Sequence, residues 1–143
     1  MPGPGPIPTR LRREVERRAR GLCEYCRLQQ SLCPEPFEMD HILPRAVDGP
    51  TILENLCLAC PLCNSAKQSK LLATDPVSGR RVRLFNPRLQ NWAQHFRWSS
   101  DTSLIIGKTP VGRATIVALR MNRLRVVHIR LLWASMGLHP PTA

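Results

Sequence analysis

Four cysteines stand as two C-x2-C pairs, Cys23-Glu24-Tyr25-Cys26 and Cys60-Pro61-Leu62-Cys63, with 34 residues from Cys26 to Cys60. Each pair places two thiolates on one tight turn, and four thiolates together suit tetrahedral Zn²⁺. Such a site would be structural, because four sulfur ligands leave no open position for water. Four free thiols, or a disulfide pair, are the alternatives. Cys33 lies in a Pro-rich loop and Cys57 on a short apolar run, and neither is assigned to metal.

The second group of reactive residues is Asp40-His41, Asn55 and Asn64. His41 to Asn55 is a step of 14, and Asn55 to Asn64 a step of 9. With Ile42-Leu43-Pro44-Arg45, Asp48-Gly49, Leu56 and Asn64-Ser65-Ala66-Lys67, this stretch resembles the HNH (His-Asn-His) nucleases, the ββα-metal group. The zinc-knuckled branch of that family brackets its motif with two C-x2-C pairs, as here. The third letter of the motif departs from its name, since Asn64 stands where histidine would be.

The resemblance implies a role for each residue. His41 is the expected general base, and its ordinary pKa near neutrality suits proton abstraction from water. Asn55 is expected to orient the His41 ring by hydrogen bonding. Asp40 and Asn64 are expected to hold a catalytic divalent metal. Both offer only oxygen donors, so Mg²⁺ or Mn²⁺ is expected rather than a nitrogen-preferring ion. Arg45, and Lys67 three residues after Asn64 on the same helix face, are candidate phosphate contacts. The implied reaction is hydrolysis of DNA phosphodiesters, leaving 3′-hydroxyl and 5′-phosphate ends.

Several elements must position these groups. Thr9 reads as an N-cap, and Leu11, Val15, Ala19 and Leu22 fall at helical spacing, with Gly21 as a C-cap. Phe37–Ile42 alternates like a short strand, and Leu56–Ala59 reads as a second. Pro61 suits a helix first turn, with helix expected from Asn64 to about Leu72. A hairpin fits residues 74–88. Thr109-Pro110 opens a helix, with a last helix or a continuation around Leu124, Val127 and Leu131. The fold class is therefore α+β: a zinc-stapled ββα-metal nuclease core with an N-terminal helix and a helical C-terminal extension. Residues 1–8 are expected to be a disordered Pro/Gly leader, 9–72 the core, and 73–137 a basic, mostly helical extension packing on it.

Charge is distributed to match. The 143 residues carry +11, of which residues 1–26 hold +3, 27–70 hold −1 and 71–143 hold +9. Eighteen of the 21 cations are Arg, the residue suited to bidentate phosphate contact. If residues 110–131 form nearly one helix, Arg113, Arg120, Arg123 and Arg130 share a face, and the first three are candidate nucleic-acid contacts. The aromatic group Trp92, Phe96 and Trp98 is expected to pack on the core. The segment Leu84-Phe85-Asn86-Pro87-Arg88 is also similar to the C-terminal part of some small stand-alone HNH proteins. No apolar run reaches the roughly 18–20 residues of a membrane span, and Met1–Pro6 shows no apolar signal region, so a cytoplasmic location with reduced thiols is expected. DNA is the expected partner. The rival reading is a non-catalytic, zinc-containing nucleic-acid-binding module, which would keep the cysteines and the basic extension but not need Asp40, His41 and Asn64.

Overall fold

The computed structural model describes residues 6–142. Helix α1 spans Thr9–Ala19. Thr9 does not cap it. Pro8 takes the cap position, its carbonyl accepting from the backbone N–H of Leu11 at 3.0 Å and Arg12 at 3.1 Å, and no side chain caps the end. Proline fixes φ where the chain enters the helix, so a side-chain oxygen is dispensable there. Of the expected leader, residues 1–5 lie outside the described residues. Ile7 is buried in the core, so the ordered chain starts before the helix does. Arg20 and Gly21 end α1 with left-handed φ of 56° and 69°.

Strands β1 (Glu38–His41) and β2 (Leu56–Ala59) pair antiparallel, with Glu38 opposite Ala59 and His41 opposite Leu56. All four β2 residues are buried, with α1 packed against the strand. Helix α2 (Pro61–Lys67) follows at once and packs on β1, completing the ββα unit. It stops five residues short of the expected Leu72. Gln68 adopts φ 51° and ψ −126°, which breaks the helix and turns the chain into a new strand.

That strand, β3 (Leu72–Thr74), forms the expected hairpin with β4 (Arg81–Arg83). The turn is organised by Asp75, which accepts from the backbone N–H of Val77 and Ser78 and from the Ser78 hydroxyl. A short helix α3 (Trp92–His95) leads into a third hairpin, β5 (Phe96–Trp98) with β6 (Ile105–Gly107). Helices α4 (Pro110–Leu119) and α5 (Leu124–Ser135) close the chain. Thr109 caps α4 as expected, its hydroxyl accepting from the Gly112 N–H at 3.1 Å.

The two helices are not one. Arg120 takes φ 53° and ends α4, and Asn122 then braces the corner by exchanging two side-chain hydrogen bonds with the backbone of Ile105. The single arginine face expected over 110–131 therefore does not form. Arg130 is 1% exposed and points inward, donating to the carbonyls of Ser103 and Met121 and to the Asn122 side chain, with its guanidinium 5.4 Å from the Trp98 ring centre.

One apolar core joins the two halves, running from Val15 and Leu58 through Phe85 and Phe96 to Leu119. Polar contacts cross the same boundary. The Trp92 indole donates to the Tyr25 carbonyl at 2.8 Å, and Arg88 pairs with Glu24. Among the described residues no helix is long and apolar enough to cross a membrane.

Candidate active site and metal centre

The two cysteine pairs meet although 33 residues lie between them. The sulfurs of Cys23, Cys26, Cys60 and Cys63 all lie within 4.8 Å of one another, and all four residues are buried. Cys26 Sγ and Cys60 Sγ are 3.7 Å apart. A tetrahedral ion at the usual Zn–S length of about 2.3 Å requires sulfur–sulfur edges of about 3.8 Å, so the cluster fits zinc by geometry as well as by donor type. Within each pair the later residue's N–H points at the earlier sulfur, Cys26 to Cys23 and Cys63 to Cys60, both at 3.4 Å. At Cys60 the neighbouring cysteines and this backbone bond favour the thiolate.

The residues between the first pair reach outward. Glu24 accepts from the Leu58 N–H at 2.8 Å and pairs with Arg88. Tyr25, fully buried, donates its hydroxyl to Asp40 Oδ2 at 2.7 Å. Neither was marked by spacing, because a C-x2-C motif says nothing of its middle residues.

Asp40 and His41 are the last two residues of β1, so alternation sends them to different surroundings. Asp40 is 4% exposed and faces α2. There Lys67, itself 2% exposed, places its ammonium on the carboxylate and also donates to the carbonyls of His41 at 3.1 Å and Ile42 at 3.3 Å. Burial raises the Asp40 carboxyl above its ordinary range, and the charge of Lys67 and the Tyr25 hydroxyl pull it partly back. Lys67 was expected on a phosphate; the structure puts it inside, bridging helix and strand. The helix face that turns Asn64 to Glu38 turns Lys67, one turn on, to Asp40.

His41 lies at the edge of the solvent. Its Nε2 is 2.9 Å from the Thr51 hydroxyl and accepts from Arg45 Nε at 3.1 Å. A guanidinium can only donate, so the neutral ring carries its proton on Nδ1. Burial lowers the His41 pKa, Arg45 lowers it further, and Asp40 acts the other way. The ring is thus held neutral near pH 7. Thr51 belongs to the site without any pattern announcing it.

Asn55 does not touch the His41 ring. Its Oδ1 accepts from the Leu43 N–H at 2.8 Å, and its Nδ2 donates to the carbonyls of Leu43 at 3.0 Å and Pro50 at 2.9 Å. All three bonds go to backbone, so Asn55 fixes the loop after His41 rather than the ring. The same loop closes at Gly49, where a Cβ would sit 1.7 Å from the Leu43 carbonyl oxygen, so only glycine fits.

Asn64 reaches across to β1 and donates its amide to Glu38. Glu38 and Asp40, two residues apart on β1, face one side of the strand, and Asn64 contacts Glu38 there rather than Asp40. Asp40 and Asn64 carry the oxygen donors that a hard divalent cation takes, and the cation seated on Asp40 in this structure is the Lys67 ammonium.

The remaining arginines divide. Arg113 forks onto Asp75 at 2.8 and 2.9 Å, and that pair holds the Asp75 carboxyl well below the usual range. Two of its three guanidinium nitrogens are thereby committed to Asp75 rather than left for a phosphate. Arg123 is partly engaged by the carbonyls of Arg120 and Leu62. Arg120 is exposed, and both it and Arg123 border the cysteine cluster rather than His41.

A family model described as HNH endonuclease matches residues 23–70, the stretch that holds the cysteine cluster, Asp40, His41, Asn55 and Asn64. The match covers about a third of the chain. No curated protein matches the chain.

Proposed function

Residues 23–70 form an HNH endonuclease domain of the zinc-knuckled kind, and from that premise we propose that the protein is a divalent-metal-dependent endonuclease acting on DNA. The observation that carries the proposal is His41, held neutral beside Asp40 at the end of β1, on a loop locked by Asn55 and Gly49.

His41 is the general base. Its Nε2 lone pair takes a proton from the attacking water once Arg45 lets go of it. Arg45 is suited to that exchange, because a substrate phosphate is a stronger acceptor for its guanidinium than a neutral imidazole. Thr51 keeps the ring in place meanwhile. Asp40 and Asn64 would hold the divalent ion, which when bound supplies charge stabilisation at the scissile phosphate and the leaving oxygen. Asn55 acts at one remove, as the residue that keeps the loop backbone in register.

The rival is a non-catalytic zinc-containing nucleic-acid-binding module. The Lys67–Asp40 pair favours it, since a carboxylate so engaged serves as a core ion pair. One assay separates the two. Supercoiled plasmid is incubated with purified protein and Mg²⁺ or Mn²⁺, with EDTA and His41→Ala as controls. Nicking that EDTA and His41→Ala both abolish is the expected result. Equal nicking by His41→Ala, or none with any divalent ion, would sink the nuclease reading.

A further inference from the structure

A cleft of about 230 Å³ opens where the nuclease domain meets the C-terminal extension. One wall is the catalytic loop itself, through Leu43 and Asn55. The opposite wall comes from the chain after α2, with Lys70 and Leu71, and from Arg83 on β4. Leu89, 83% exposed, also lines it.

The charge of this cleft is one-sided. No carboxylate lines it. Lys70 donates only to the Ala66 carbonyl, and Arg83 is in none of the ion pairs among the described residues. The rest of the lining combines the aliphatic side chains with the amides of Asn55, Asn86 and Gln90 and with Lys67, whose ammonium is taken by Asp40. A ligand that satisfies such a site carries negative charge at one end and a flat apolar body at the other. A nucleotide has both, and a base can lie on aliphatic side chains while its phosphate takes the cations.

We propose that this cleft is a nucleotide subsite, with the phosphate between Lys70 and Arg83 and the base against Leu43, Leu71 and Leu89. It rests on the nuclease reading for its place beside the scissile bond. The shared Leu43–Asn55 wall puts the bound nucleotide next to the one cut. The β3–β4 hairpin, not α4 and α5, is then the part of the extension that grips substrate.

The test uses full-length, zinc-loaded protein in a His41→Ala background, so that binding is read without cleavage. Fluorescence anisotropy of a labelled single-stranded oligonucleotide is followed against salt. Lys70→Ala with Arg83→Ala should weaken binding about tenfold or more and reduce the salt slope by about 1.4, two strand contacts at about 0.7 each. Leu89→Asp, at an exposed position that folding does not need, should also weaken it. Arg97→Ala with Arg125→Ala, exposed cations away from the cleft, is the control. Equal loss in the control pair, or unchanged affinity with both cleft variants, overturns the proposal. Competition by free dAMP shows a subsite open to mononucleotides; no competition with the variant losses intact restricts it to the strand. Plasmid nicking by the unmodified protein is scored separately. Nicking with indifferent cleft variants removes the subsite alone, and cleft-dependent binding without nicking removes the nuclease reading and keeps the subsite.

Discussion

The Lys67 ammonium lies 3.1 Å from one oxygen of the Asp40 carboxylate and 3.2 Å from the other, with the two side chains 2% and 5% exposed. A pair this deep is far costlier to break than to replace. Lys67→Met should destabilise the fold by about 3–5 kcal/mol, because it leaves a buried carboxylate without a partner. Adding Asp40→Leu should restore most of that loss, which denaturant unfolding of the two variants measures. The pair also bears on metal entry. Mn²⁺ reaching Asp40 has to replace the ammonium, so amine-reactive labelling of Lys67 should rise when Mn²⁺ is added, while exposed Lys70 is labelled throughout.

Asn55 carries a separable prediction. Asn55→Ala removes three bonds to the loop backbone and should cost about 2 kcal/mol. Nicking rate measured well below the melting temperature should fall further than that stability loss explains, since the loop that presents His41 loses its register. A rate that tracks the folded fraction alone would show that the loop needs no brace.

Arg130 is a buried cation held by carbonyls and a ring, with no carboxylate pairing it among the described residues. Lysine cannot span Ser103 and Met121 at once. Arg130→Lys should therefore lower stability by about 2 kcal/mol, close to the cost of one unsatisfied buried carbonyl. Thermal unfolding read by tryptophan fluorescence would report it, since Trp98 lies under the guanidinium.

His139 gives a pH dependence outside the nuclease domain. Its Nε2 faces the Thr102 carbonyl at 2.8 Å, and its ring meets Trp98 edge-on at 4.6 Å. Burial lowers its pKa, with the Thr102 bond acting oppositely and Arg130 adding to the lowering. Above the ordinary imidazole value of about 6.5 both folded and unfolded forms are neutral and the contribution is whole. Below it the unfolded chain takes up a proton that the folded ring resists, so stability falls with pH. Trp98 fluorescence should change with a midpoint below about 6.5, and His139→Leu should abolish the change.

Zinc removal should act on the whole fold. Cys26→Ser should lower the zinc content from one ion per chain and melt the ββα unit, as atomic emission and far-UV dichroism would record. Retained structure at zero zinc would contradict the stapling role.

The sequence made the ββα unit legible because its signals are local. Alternation marked β1, a short apolar run marked β2, Pro61 marked the start of α2, and the C-x2-C turns marked the metal cluster. What it could not show were contacts that depend on three dimensions. Nothing in the spacing of Lys67 tells an inward ammonium from a phosphate contact. The difference lies in which face of α2 packs on β1, and that face carries Lys67. The Asn55 position was evident and its bonds were not, since an amide can serve ring or backbone equally. The shared arginine face depended on 110–131 being nearly one helix, and the left-handed Arg120 that divides it carries no signal in the apolar spacing.

The tetrapeptide Cys23-Glu24-Tyr25-Cys26 ties four other parts of the molecule together: the second cysteine pair, β2 with Arg88, Asp40, and Trp92 through a backbone carbonyl. None of its side chains is idle. In a saturation mutagenesis library these four neighbouring codons should form an unbroken plateau of intolerance, where α1 just before them shows the periodic tolerance of a helix with one wet face. Drift in this chain is then steered around a fixed hub, and new surface properties have to arise somewhere else.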